Sequence, residues 1–157
     1  ALAEDQLDEL EDGLTAAMQQ LAQAIARDGE GATCLIEVQV DGAVDEASAL
    51  AVARTVCGSS LVKTAVHGRD PNWGRIVAAA GRSGVAFDPE AVALWIGSHQ
   101  LMEAGQPVAF DRAAASAVLR EDRVSIRLRL GSGPGIGVGW GCDLSDQYVR
   151  INADYTT

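Results

Sequence analysis

Glycine stands at every second position from 131 to 141, in GSGPGIGVGWG. A repeat of two is the side-chain period of a β-strand, so a strand built from this stretch has one face without side chains. Whatever packs on that face must come up against bare backbone. The stretch therefore reads as a tight turn over Ser132–Pro134 followed by a strand over 136–142. A phosphate-cradling loop is the competing use of so much glycine. The dinucleotide fingerprint, however, needs glycine at its first, third and sixth positions, and Ile136 occupies the sixth. No Walker lysine follows, and the stretch lies between two expected strands rather than opening a helix.

The remaining elements follow from periodicity and capping. Leu7, Leu10, Leu14, Met18, Leu21 and Ile25 recur at steps of three and four, which predicts a long amphipathic helix over 6–28 with one apolar stripe, and a Met in such a stripe reads as core. TCLIEVQV (33–40) alternates as a half-buried strand does, with Asp41-Gly42 as its turn. Asp45 sits where an N-cap belongs, ahead of the helical EASALAVARTVC. A short apolar strand is expected at 61–66 and a short helix from Trp73. Strands follow at 92–96 and 99–103, then a helix at 112–120 capped by Asp111. RVSIRLRL (123–130) alternates arginine with apolar residues, as a strand with one wet face does. The C-terminal DLSDQYVRINADYTT is amphipathic. This order mixes helices with hairpins and shows neither repeat nor linker. The fold class is α+β, a mixed sheet covered by helices, in a single domain over residues 1–157.

Composition excludes several functions. The formal net charge of −10 repels nucleic acid and anionic membranes, and no basic patch is long enough to override it. No apolar run reaches the ~20 residues of a membrane helix, and the N-terminus lacks the basic start of a signal peptide. Cys34, Cys57 and Cys142 are odd in number and far apart, which predicts a reducing, cytoplasmic setting and no zinc site. His67 and His99 are isolated, so no metal centre is expected.

The densest polar stretch is HGRDPNWGR (67–75), set between apolar runs. Two readings stand side by side. In one it is a capped helix start, with Asp70 before Pro71, or Asn72, as the cap. In the other, the helix-start amides and the arginines hold a carboxylate or another chain. A second candidate is DGEGAT (28–33), where Glu30 between two glycines either solvates a turn or meets an ammonium group.

SLVKTAVHGRDPNWGRIVAAAGR, DGEGAT and DLSDQYVRINADYTT together resemble the ornithine acetyltransferase family, the glutamate N-acetyltransferases of arginine biosynthesis. The similarity runs from about Glu11 to Thr157. It implies an α/β sandwich made as a precursor that cleaves itself into α and β chains, the new N-terminal threonine of the β chain being the nucleophile. It implies acetyl transfer from N-acetylornithine to glutamate through an acyl-threonine, without a cofactor, acetyl-CoA serving some members as donor. The chain begins at Ala1, which has no hydroxyl. The resemblance thus places no catalytic residue within these 157 and implies the C-terminal portion of a β chain. Its implied partners are an α chain and the upstream part of the β chain, in αβ units that associate further into a heterotetramer.

By matching motif, the resemblance makes Glu30, Asn152 and Thr157 contacts for the amino-acid substrate. The island is expected as scaffold near the site, with Asn72 and Arg75 facing it. Two alternatives remain: a paralogue of secondary metabolism with another acyl acceptor, and a non-catalytic assembly module.

Overall fold

The structure is a computed structural model that describes residues 3–154. Its strands are β1 (Leu35–Ala43), β2 (Ala93–Ile96), β3 (His99–Glu103), β4 (Gln106–Pro107), β5 (Arg123–Arg129) and β6 (Gly135–Cys142). They form one six-stranded sheet in the order β4-β3-β2-β5-β1-β6. Only β1 and β5 run parallel; the other neighbours are antiparallel. The helices are α1 (Glu4–Arg27), α2 (Glu46–Cys57), α3 (Ser60–His67), α4 (Trp73–Gly81), α5 (Arg112–Val118) and α6 (Asp146–Asp154). The expected α+β class, a mixed sheet with helices over it, is what forms.

The core lies on one face of the sheet. Ile36, Val38 and Val40 of β1 stand beside Val124, Ile126 and Leu128 of β5, and Leu94 and Ile96 of β2 continue the layer, all fully buried. On the other side of β1, the same three residues pair with Gly141, Gly139 and Gly137 of β6. Here the glycine alternation finds its reason. Helix α2 lies directly on the bare strand: a Cβ at Gly137 would sit 2.6 Å from the backbone nitrogen of Leu50, and one at Gly135 2.2 Å from the carbonyl oxygen of Asp45. Ala49, Val52, Ala53 and Val56 of α2 are buried against the sheet, and α3 and α4 add Val62, Val66, Ile76 and Ala80 to the same core. Asp45 and Asp111 cap α2 and α5 as expected, accepting from the amides of Ser48 at 2.7 Å and Ala114 at 3.0 Å.

The opposite face of the sheet is polar. Asp41 accepts from the Nε atoms of Arg127 at 2.7 Å and Arg129 at 3.1 Å, and both guanidiniums stack on Trp95. Glu37 accepts from Arg123 and from the indole of Trp140. The alternating arginines of β5 are thus the wet face of a strand.

Three expectations need correction. The run at 61–66 is not a strand but the helix α3. Val62, Ala65 and Val66 are buried at spacings of three and four while Leu61 and Thr64 face out, a helical pattern that so short an apolar run disguises. With no strand there, the chain passes through three successive α-helices and a 3-10 turn at Pro89–Ala91 from β1 to β2. Asp41-Gly42 does not end β1: the strand continues to Ala43 through a bulge, with Gly42 at φ 74°. Finally, the α1 stripe is not core in this chain. All six of its apolar residues are exposed, from Leu10 at 50% to Ile25 at 76%, and α1 buries no residue. Among the described residues no single helix is long and apolar enough to cross a membrane.

Candidate functional site

Strand β6 ends beside the start of β1, with Cys142 opposite Leu35. The register carries Asp143 next to Cys34, at the end of the DGEGAT loop, and there its side chain is fully buried. A buried carboxylate is tolerated only with its oxygens bonded. Asp143 Oδ1 accepts from the amides of Thr33 at 2.7 Å and Cys34 at 3.1 Å. Its Oδ2 accepts from the Thr33 hydroxyl at 2.6 Å and from His67 Nδ1 at 2.7 Å. Burial opposes ionisation, but the bonds from Thr33, His67 and Cys34 outweigh it and hold the Asp143 carboxyl below its ordinary value. Among the described residues, no buried side-chain nitrogen or oxygen lacks a partner.

The loop itself lies against α6. Gly31 has φ 68°, and a Cβ there would be 2.8 Å from the Tyr148 amide nitrogen, so only glycine lets the loop come this close. The Ser145 hydroxyl donates to the Gly31 carbonyl at 2.6 Å. From α6, the Asn152 amide uses both hydrogens, one to Glu30 Oε2 at 2.7 Å and one to the Tyr148 carbonyl at 2.9 Å. Glu30 and Asn152, 122 residues apart, are therefore brought into contact. Thr157 lies outside the described residues. The Glu30 side chain is exposed, and among the described residues nothing donates to its Oε1. What results is a carboxylate oriented by an amide, with one oxygen open: an arrangement able to hold a cationic group.

The HGRDPNWGR island is mostly occupied with its own fold. Asn72, not Asp70, caps α4, accepting from the Arg75 amide at 3.1 Å, while its own amide donates to Asp70 Oδ2 at 2.8 Å. Asp70 is thereby oriented to accept from Arg112 of α5 at 2.5 Å. The Arg75 guanidinium binds the Leu61 carbonyl at 3.1 Å and the Thr64 hydroxyl at 3.3 Å, tying α4 to α3. No hydrogen bond joins Asn72 or Arg75 to the Glu30–Asn152 pair. Arg69 takes a left-handed φ of 57° and gives its carbonyl to the Ser116 hydroxyl. These ties set α5 beside the end of α3 and border an open pocket of about 330 Å³ lined by Thr33, His67, Arg69, Arg120 and Glu121 among others. His67 is the island residue that reaches the loop, through Asp143.

Asp143 is the residue that reading the sequence missed. In CDLS it has the look of one more cap before a helix; its role depends on the β1–β6 register, which no local pattern encodes. The two buried thiols offer no alternative nucleophile. Burial and the nearby Asp143 charge push Cys34 up to about 11, and burial pushes Cys57 up to about 12, so neither is a thiolate at neutral pH. Among the described residues, no three His, Cys, Asp or Glu side chains lie close enough to hold a metal ion.

The sequence pattern of the ArgJ family matches residues 1–157. The Arginine biosynthesis bifunctional protein ArgJ of Parasynechococcus marenigrum (strain WH8102) is 76% identical over 148 residues, covering 94% of this chain and 36% of that protein. Its counterpart in Prochlorococcus marinus (strain MIT 9313) is 67% identical, over 99% of this chain and 39% of its own length. The chain thus spans little more than a third of these curated relatives. The crystal structure of the Bacillus halodurans protein of the same name superposes with a TM-score of 0.94 at 44% identity, covering 98% of this chain and 74% of that one.

Proposed function

The chain belongs to the ArgJ family, and on that premise we propose that it is one domain, the C-terminal part of the β chain, of a self-cleaving acetyltransferase. The complete enzyme moves an acetyl group from N-acetylornithine to glutamate through an acyl-threonine supplied from outside these residues. The contribution of this chain is amino-acid recognition. Glu30, oriented by Asn152, receives the substrate's ammonium group, and Thr157 completes the contact. An α chain and the upstream part of the β chain supply the rest of the site, and the αβ units associate further. The exchange needs no cofactor; acetyl-CoA is a further acyl donor for the bifunctional members of the family. The three free thiols suit the reducing cytoplasm.

The observation that carries this reading is the Glu30–Asn152 contact. Two segments at opposite ends of the chain meet to fix one exposed carboxylate, and folding alone does not require that bond. A fixed carboxylate loses less entropy on pairing with an ammonium than a free one does. In the complete enzyme, Glu30→Gln should raise the KM for N-acetylornithine by the equivalent of about 1.5–3 kcal/mol, the range for a hydrogen bond to a charged group. Self-cleavage, read on a denaturing gel, should proceed as before. Steady-state assays of acetyl transfer to glutamate check this. Unchanged KM and kcat/KM would reduce Glu30 to a turn residue.

A further inference from the structure

We propose that Asp143 is a positioning residue for the substrate: it sets where Glu30 stands by clamping the end of the DGEGAT loop. The inference rests on the reading of Glu30 as the ammonium contact.

A carboxylate flanked by two glycines is poorly defined unless the chain on either side is tied down. On the N-terminal side the loop leaves α1, whose side chains are all outside the core. What meets the loop at that end is Cys142, the residue before Asp143, whose sulfur would lie 2.5 Å from a Cβ at Gly29. On the C-terminal side Thr33 and Cys34 give three hydrogen bonds to one carboxylate. The remaining side-chain ties, from Ser145 and Asn152, come from the ten residues that Asp143 opens. Asp143 therefore stands where the loop and the C-terminal segment are joined. It is held in turn by His67 at the end of α3, and so to the helical layer.

The chemistry of the clamp is specific to an ionised carboxylate. Four donors converge on two oxygens, and an ionised carboxylate accepts all four with none of them changing role. In Asp143→Asn one oxygen becomes an NH₂ and faces donors. Either the Thr33 and Cys34 amides lose their acceptor, or the Thr33 hydroxyl and His67 must turn from donating to accepting; in both cases the charge that anchors the loop end is gone and the loop end shifts. Displacing a binding group by a fraction of an ångström weakens recognition without touching the reacting atoms. The effect belongs in KM.

A double-mutant cycle on the complete, self-cleaved enzyme tests this, with KM and kcat for N-acetylornithine as readouts. Asp143→Asn should raise KM at least tenfold and change kcat less than threefold. Added to Glu30→Gln, the same substitution should raise KM less than twofold, because no carboxylate is left to position. Thr33→Val removes one of the four bonds and keeps the side-chain shape. It should raise KM severalfold with the same loss of effect in the Glu30→Gln background, and it decides the matter if Asp143→Asn does not fold. Multiplying effects in the double variant would overturn the proposal, since Asp143 would then act elsewhere. A normal KM in Asp143→Asn beside an impaired Glu30→Gln would overturn it while leaving the Glu30 reading intact. A normal KM in Glu30→Gln would instead remove the reading on which the proposal rests.

Discussion

A carboxylate held by four donors and shut off from water contributes stability only while it stays ionised. The folded state holds the Asp143 carboxyl below its ordinary value of 3.8, so the unfolded chain binds its proton first as pH falls. The contribution is complete above the unfolded value and is lost as pH drops through the lower folded value. Asp143→Asn should therefore cost stability at pH 7, by about 2 kcal/mol for a hydrogen-bonded charge. The cost should shrink as pH falls below about 4. Urea unfolding of both proteins at pH 7 and pH 3.5 checks the sign; a gap that widens in acid would contradict it. Little of this was legible in advance. Glu30 stands out by its two flanking glycines and Asn152 only through a resemblance, whereas their contact and its link to Asp143 depend on strand register and on a chain reversal more than a hundred residues long.

Elements were easier to read where one residue type repeats or caps. The alternation over 135–141 specified a strand with a bare face, although not that α2 would fill it. Asp45 and Asp111 marked their helices because an oxygen at an N-cap does the same job in any fold. The run at 61–66 was misread because eight residues carry too few turns for the helical period to show. The glycines make a sharp prediction. Gly137→Ala forces a Cβ into the α2 backbone, which cannot yield as a side chain would, and should cost about 3 kcal/mol, the upper end for overpacking. Gly13→Ala, in α1 with nothing within 4 Å, should stabilise that helix by about 1 kcal/mol. Helicity by circular dichroism and denaturant midpoints separate the two cases.

For the molecule as a whole, α1 is the element out of balance. Its 24 residues display six large apolar side chains and bury none. An apolar stripe of that length associates with whatever cover is at hand. The 157-residue chain by itself should self-associate through α1, and Leu14→Glu with Leu21→Glu should make it monomeric in sedimentation without lowering its unfolding midpoint. An unchanged oligomer would place the contact elsewhere.

The order of the sheet also bears on how the protein is made. The partners of β1 lie far along the chain: Arg129 of β5 is 88 residues beyond Asp41, and Trp140 of β6 is 103 beyond Glu37. A ribosome adding about 5–20 residues per second needs on the order of 5–20 s to cover that gap. Helices α2, α3 and α4 emerge in the interval and shield the apolar face of β1, but both its edges stay unpaired until β5 and β6 arrive. For those seconds an interior strand of the finished sheet is the open edge of a nascent chain, and that is when a chaperone has most to protect.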